Sequence, residues 1–270
     1  LQSLSAILFP RRWKPQLAAL RRLLASDQAP PPDVGERIDA WLRSPAWEVR
    51  NAAVKLIAHI HDLARYSRIV AKLSDRSEAG IVRRNAAEAL ARLRLATDEV
   101  REALVRALSD PYWEARSEAA RALAALFPPD GLLEAALLHM LLRPSRKGRR
   151  RLDDNFEVRM AVAHALGHLG VSRVAFETLT ELGADDSWPV RSQAAIAIAH
   201  LAARKPEFHD DARTVLLALD RQSEGAVPYF VHRELLSHAL RSVHRGPAAD
   251  PEVVRAHYLN PKAGWNHIVR

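Results

Sequence analysis

Cysteine is absent from the 270 residues, which removes disulfides, thiolate metal ligands and thiol nucleophiles together. That absence suits a reducing compartment, and the expected location is the cytoplasm. Glycine is scarce, with 10 residues, and none of it forms a phosphate-cradling loop or a nucleophile elbow. Aromatic residues make up only 6% of the chain. No apolar run approaches the roughly 20 residues that a membrane-spanning helix needs. The opening "LQSLSAILF" is cut short by Arg11 and Arg12. No transmembrane segment is expected.

What is present is Ala and Leu, within an apolar share of 48%, and proline that falls mainly between periodic segments. This composition favours helix over strand and predicts an all-α fold. Five segments repeat: "SPAWEVRNAAVKLIAHI" from Ser44, "SEAGIVRRNAAEALARL" from Ser77, "DPYWEARSEAARALAAL" from Asp110, "DDNFEVRMAVAHALGHL" from Asp153 and "DDSWPVRSQAAIAIAHL" from Asp185. They share Arg50, Arg83, Arg116, Arg159 and Arg191, at spacings of 33, 33, 43 and 32. The long spacing contains "RPSRKGRRR", which reads as an insertion at a turn between two repeats.

Six residues before each shared arginine stands Ser44, Ser77, Asp110, Asp153 or Asp185. Each can accept from the free N–H groups of a first helical turn, so these residues are expected as helix caps. Pro45 and Pro111 are then expected at the first helical position. Trp47, Gly80, Trp113, Phe156 and Trp188 stand three before the arginine, and this mostly aromatic position is expected to pack on the neighbouring unit. After the arginine, positions three, four, six, seven and ten are apolar and mostly small, one broad stripe at helical period. A second amphipathic segment follows, as in "EVREALVRALSD" near 99–110 and "RVAFETLTELGAD" near 173–185. Each unit is therefore a helical hairpin. About seven hairpins are expected in one domain spanning 1–260: an atypical first one at 12–43, clear repeats over 44–222, and a degenerate last one at 223–259 around Phe230 and Arg233. Residues 261–270 remain as a tail.

The pattern D-P-x-x-E-V-R-x-x-A-A-x-A-L-x-x-L, matched best from Asp110 to Leu126 and well from Asp153 to Leu169, resembles the HEAT-like repeat of the phycobilin-lyase type. The resemblance covers roughly 44–242. It implies a right-handed α-solenoid of antiparallel helix pairs, with the second helices lining a concave face. Scaffolds, adaptors, regulators and a few enzymes share that architecture.

The basic run is the one compositional outlier. Arg143, Arg146, Lys147, Arg149, Arg150 and Arg151 supply six positive charges to a net charge of +8. They are the candidate binding residues, for nucleic acid, an anionic membrane surface or an acidic protein. No aromatic residue lies between Met140 and Phe156, so no base-stacking platform accompanies them. His164 and His168 share a helix face, and His59, His168 and His200 all stand nine after the shared arginine. His168 and His200 are close enough in repeat register to share an ion. The same column holds Arg92 and Ala125, however, which reads as solvent-facing, and no metal or other cofactor is expected. No catalytic residue is assigned. The reading is a non-enzymatic scaffold or adaptor for a protein partner, with the basic loop for something anionic. The alternatives are a nucleic-acid-binding protein, such as an alkylpurine DNA glycosylase-like enzyme, and a phycobilin-lyase-like chaperone.

Overall fold

In a computed structural model, residues 13–26, 28–144, 150–222, 239–241 and 243 are described. Most of the expected seventh hairpin and the tail lie outside them. The described helices are α1 (Lys14–Leu24), α2 (Val34–Trp41), α3 (Trp47–His59), α4 (Tyr66–Ser74), α5 (Gly80–Leu93) and α6 (Asp98–Ala107). They continue as α7 (Trp113–Leu126), α8 (Gly131–Leu141), α9 (Phe156–Leu169), α10 (Arg173–Leu182), α11 (Trp188–Arg204) and α12 (His209–Gln222). Odd and even helices pair into six consecutive hairpins. The fold is an all-α solenoid.

The odd helices form one layer, in which α1, α3, α5, α7, α9 and α11 each pack on the next. The even helices form the other, with α4, α6, α8 and α10 each lying against the odd helix that follows. The apolar stripe explains this order. One position before the shared arginine, Val49, Val82, Ala115, Val158 and Val190 are fully buried. So are Ile57, Leu90, Leu123, Leu166 and Ile198, seven positions after it. The small residues between these anchors let the odd helices approach closely. The approach is close between α9 and α11, where a Cβ on Gly167 would lie 2.8 Å from Cβ and 2.9 Å from Cα of Ala197.

The helix starts differ from the sequence expectation. The odd helices begin three residues after the predicted caps. Asp110, Asp153 and Asp185 instead accept the backbone N–H two residues on, from Tyr112 (2.8 Å), Asn155 (3.1 Å) and Ser187 (2.8 Å). Ser44 does the same for Ala46 at 3.3 Å. These are side-chain turns that aim the chain into the helix, a role open to the same residue types as a cap. Pro45 and Pro111 lie within those turns, ahead of the first helical residue. Side-chain caps are found at Thr97, Asp130, Asn155 and Ser172.

Candidate interaction surface

The basic insertion joins α8 to α9, on the edge of the solenoid where each even helix turns into the next odd one. Its stem is a pair of short antiparallel strands, β1 (Leu142–Pro144) and β2 (Arg150–Leu152), with Leu142 opposite Leu152, Arg143 opposite Arg151 and Pro144 opposite Arg150. The backbone N–H of Asp153 donates to the Leu141 carbonyl at 3.0 Å and closes the base. Arg143, Arg150 and Arg151 thus belong to the stem by backbone position. Arg146, Lys147 and Arg149, and the side chains of the other three, lie outside the described residues. Leu152, at the base of the stem, and Phe156, just beyond it, are 38% and 37% exposed. Trp47, in the equivalent slot of the second hairpin, is 42% exposed. The aromatic column is therefore not uniformly an internal packing element: Trp113 packs against the core, while Trp47 and Phe156 stand half in solvent. At Gly80 the slot is taken by the next repeat, since a Cβ there would lie 2.5 Å from the Tyr112 ring.

Along the same edge runs a ladder of shared arginines. Each turns one guanidinium nitrogen, Nη1, onto the backbone of its own turn: Arg50 to Ser44 O at 2.7 Å, Arg116 to Asp110 O at 2.9 Å, Arg159 to Asp153 O and Arg191 to Asp185 O at 2.8 Å. Arg83 donates in the same way to Glu78 O. Four of the five also grip a carboxylate of the next repeat. Arg50 holds both oxygens of Glu78 (2.7 and 2.5 Å), Arg83 both of Asp110 (2.7 and 2.8 Å), and Arg159 both of Asp185 (2.7 and 2.9 Å). Arg116 reaches Asp153 through Nη2 at 2.8 to 2.9 Å. The acids six residues before the arginines, expected as caps, thus serve as rungs of the ladder, with one shift of register. In the third repeat the acid is Glu78 and not Ser77, whose N–H and hydroxyl both turn back to Asp75. Burial works to raise the Glu78 carboxyl, but hydrogen bonds from Arg50, the Ala79 N–H and Lys72 outweigh it and hold the group below the usual carboxylate range.

The odd-helix layer carries a second polar feature that the sequence reading did not single out. The Asn85 amide donates to Asn51 at 2.6 Å, linking α5 to α3. Arg84 pairs with Glu88 at 2.6 Å and lies 3.7 Å from Glu118 on α7, which Arg121 also approaches at 3.6 Å. Burial raises the Glu118 carboxyl above its ordinary range, and the two arginines only partly offset it.

The histidine column also departs from expectation. His59, Arg92 and Ala125 are exposed, as a solvent-facing column requires, but His168 and His200 are half-buried. Their ring centroids lie 4.3 Å apart with the planes tilted by 50°, and the His164 ring lies 4.5 Å from that of His168, tilted by 55°. His200 Nδ1 is 3.0 Å from the Gly167 carbonyl, onto which Arg204 also donates at 2.8 Å. Burial first, and the charge of Arg204 second, push the His200 imidazole below its ordinary pKa, against the hydrogen bond to Gly167. Among the described residues no group of three His, Asp or Glu is arranged to hold a metal ion.

Asp110 and Asp185, each three residues from a tryptophan, are held bidentately by Arg83 and Arg159. Among the described residues no helix is long and apolar enough to cross a membrane.

Among solved structures, an engineered protein is similar to this chain at 20% identity and a TM-score of 0.48, covering 85% of this chain and 99% of that one. The complex of CpcE and CpcF of phycocyanin lyase from Nostoc sp. PCC7120 follows at 19% identity and 0.41, covering 81% and 97%. Human deoxyhypusine hydroxylase is similar at 18% identity and 0.33, covering 86% and 96%. No curated protein matches the chain in sequence. The HEAT repeats family matches residues 35–124, 67–152 and 149–199, which together span more than half of the chain. With stacked helical hairpins, a shared arginine in each clear repeat and a small-residue stripe between them, the chain belongs to the HEAT repeats family.

Proposed function

We propose that this chain is a non-enzymatic scaffold or adaptor. It binds a protein partner along the solenoid surface, and the basic hairpin at 143–151 makes a secondary contact to an anionic group. The observation that carries this reading is the insertion itself. It adds about ten residues and six positive charges at one turn of an otherwise regular array. In repeat proteins such per-repeat insertions map to loops on one face, which is often the binding face. Long curved surfaces are what stacked repeats offer a partner. The exposed Leu152 at the base of the stem and Phe156 beside it add apolar area to the charge, a combination suited to protein recognition. The array is proposed to continue through a seventh hairpin to residue 259, in keeping with the burial of Ala239 and Val243. A cytoplasmic location is proposed on the absence of cysteine.

The test is affinity purification from the native source at low and high salt, comparing the natural chain with one whose six basic residues are replaced by serine. A protein partner retained at high salt by the natural chain, and weakened but still captured by the variant, supports the reading. Recovery of nucleic acid alone, lost with the six charges, would replace it with a polyanion binder.

A further inference from the structure

The first turns of the even helices lie along the edge of the solenoid opposite the basic hairpin, and one stretch of that edge is apolar. Leu132 and Val174, at 79% and 54% exposed, are the most solvent-exposed large hydrophobic residues among those described. They occupy the same place in adjacent hairpins, the second residue of α8 and of α10. The equivalent residue is Glu99 in α6 and Asp210 in α12, both exposed. Exposed Pro128 and Pro129 lead into α8 and widen the apolar stretch.

This exposure is held in place. The Asp130 N–H donates to the Leu169 carbonyl at 3.2 Å, and the buried Glu134 carboxylate accepts from the Val171 and Ser172 N–H groups at 2.6 and 3.0 Å. These bonds fix the start of α8 against the start of α10, and both sides of this boundary lie within the described residues. A surface already ordered loses little conformational freedom when it is covered. Acids stand on either side. The first three residues of α6, α8, α10 and α12 include Asp98, Glu99, Asp210 and Asp211 against one cation, Arg173, which Asp211 holds at 2.6 Å. An apolar pair bracketed by acids is complementary to an occupant that carries apolar side chains beside cations.

The chain itself carries that chemistry. Its insertion at 143–151 brings six cations, with exposed Leu152 and Phe156 at and just beyond the base. Within one copy the two patches stand at opposite ends of α8, whose 11 residues span about 16 Å. We propose that the edge formed by Leu132 and Val174 docks the basic hairpin of a second copy of this chain. This rests on the reading of the hairpin as a contact for an anionic group, and it names that group. Donor and acceptor are different surfaces, so the contact is heterologous: each end of an assembly keeps one of them free, and the assembly grows beyond a dimer.

Sedimentation velocity of the full chain over a wide range of concentration tests this, together with two variants. Leu132→Lys with Val174→Lys removes the acceptor at positions that solvent already reaches, and serine at the six basic positions removes the donor. The natural chain is expected to form oligomers larger than a dimer as concentration rises, and to dissociate at high salt. Each variant alone should be monomeric. An equimolar mixture of the two should form a one-to-one dimer and stop there, because only one productive contact remains. The milder Leu132→Ala should weaken association about tenfold, and thermal melts matching the natural chain show that each variant keeps its fold. A natural chain that stays monomeric at every concentration overturns the proposal, as does association undiminished in either variant, or a mixture that stays monomeric. Capture of a different protein in the affinity purification is read separately, so a monomeric natural chain would leave the scaffold reading standing.

Discussion

Arg83 holds Asp110 across a repeat boundary with Nε 2.7 Å from Oδ2 and Nη2 2.8 Å from Oδ1, and the two side chains are only 5% and 1% exposed. Geometry and burial together make this rung a stability element. Removing one partner leaves the other charged and buried, which costs about 3–5 kcal/mol for such pairs. Arg83→Ala and Asp110→Ala should each lower the denaturant midpoint strongly. Replacing both with apolar residues of similar volume, Arg83→Met with Asp110→Leu, should recover much of the loss, because a hydrophobic pair avoids the desolvation cost. The double-mutant cycle measures this, and additive losses would show that the two residues do not act as a pair.

Glu118 behaves in the opposite sense. Burial lifts its carboxyl, so the folded state favours the protonated form. The stabilisation is complete below the unfolded pKa, near 4.3, and is lost as pH rises through the higher folded value. At neutral pH the charged form is a burden that Arg84 and Arg121, at 3.7 and 3.6 Å, only partly relieve. Glu118→Gln is therefore expected to match or exceed the natural chain in thermal stability at pH 7. Melting curves from pH 4 to 8 check this. A variant less stable at pH 7 than at pH 4, relative to the natural chain, would show that the arginine contacts outweigh burial.

The parts of this structure that were legible in the sequence are those repeated within it. Five copies agree on the arginine and on the stripe, so helix, hairpin and solenoid followed from periodicity, and the 43-residue spacing located the insertion. The role of the acids was only half readable. Asp110 is both the acceptor of a local turn and the partner of an arginine 27 residues away, and a local cap has the same residue signature. Glu78 was missed as the first rung because its longer side chain reaches Arg50 from one position later than the column of caps. The paired stem at 142–152 was hidden because "RPSRKGRRR" has no alternating apolar pattern. Burial of His168 and His200 depends on how α9 and α11 meet, which no single helix encodes.

That meeting point depends on Gly167. A Cβ there would come within 3 Å of both the Cβ and the backbone Cα of Ala197, and a backbone atom cannot rotate away. The equivalent positions in the other repeats carry Ala58, Ala91, Ala124 and Ala199. Gly167→Ala, which would restore the repeat's common residue and raise intrinsic helix propensity, should nonetheless destabilise by about 1–3 kcal/mol through overpacking. Chemical denaturation checks the sign. A gain in stability would mean that α9 and α11 can separate without cost.

His200 sits directly over the same contact, and its titration gives the array a pH dependence. The imidazole is half-buried, with the tilted His168 ring 4.3 Å from it, His164 beyond that ring, and Arg204 sharing the Gly167 carbonyl. Burial and the Arg204 charge favour the neutral ring in the folded state, so its folded pKa lies below the unfolded value near 6.5. Stability from this group is full above that unfolded value and drains as pH falls through the folded one. Protonation would set an imidazolium beside an arginine and next to two more histidines, with the repulsion concentrated at the boundary between the fifth and sixth hairpins. Melting temperature should therefore decline below about pH 6.5, and His200→Gln, which keeps a side-chain polar group without a titrating ring, should flatten that decline. Amide exchange in α11, followed at pH 7 and pH 5, locates the effect. An acid-induced loss confined to α5 and α7 would assign it to the carboxylates of the ladder instead.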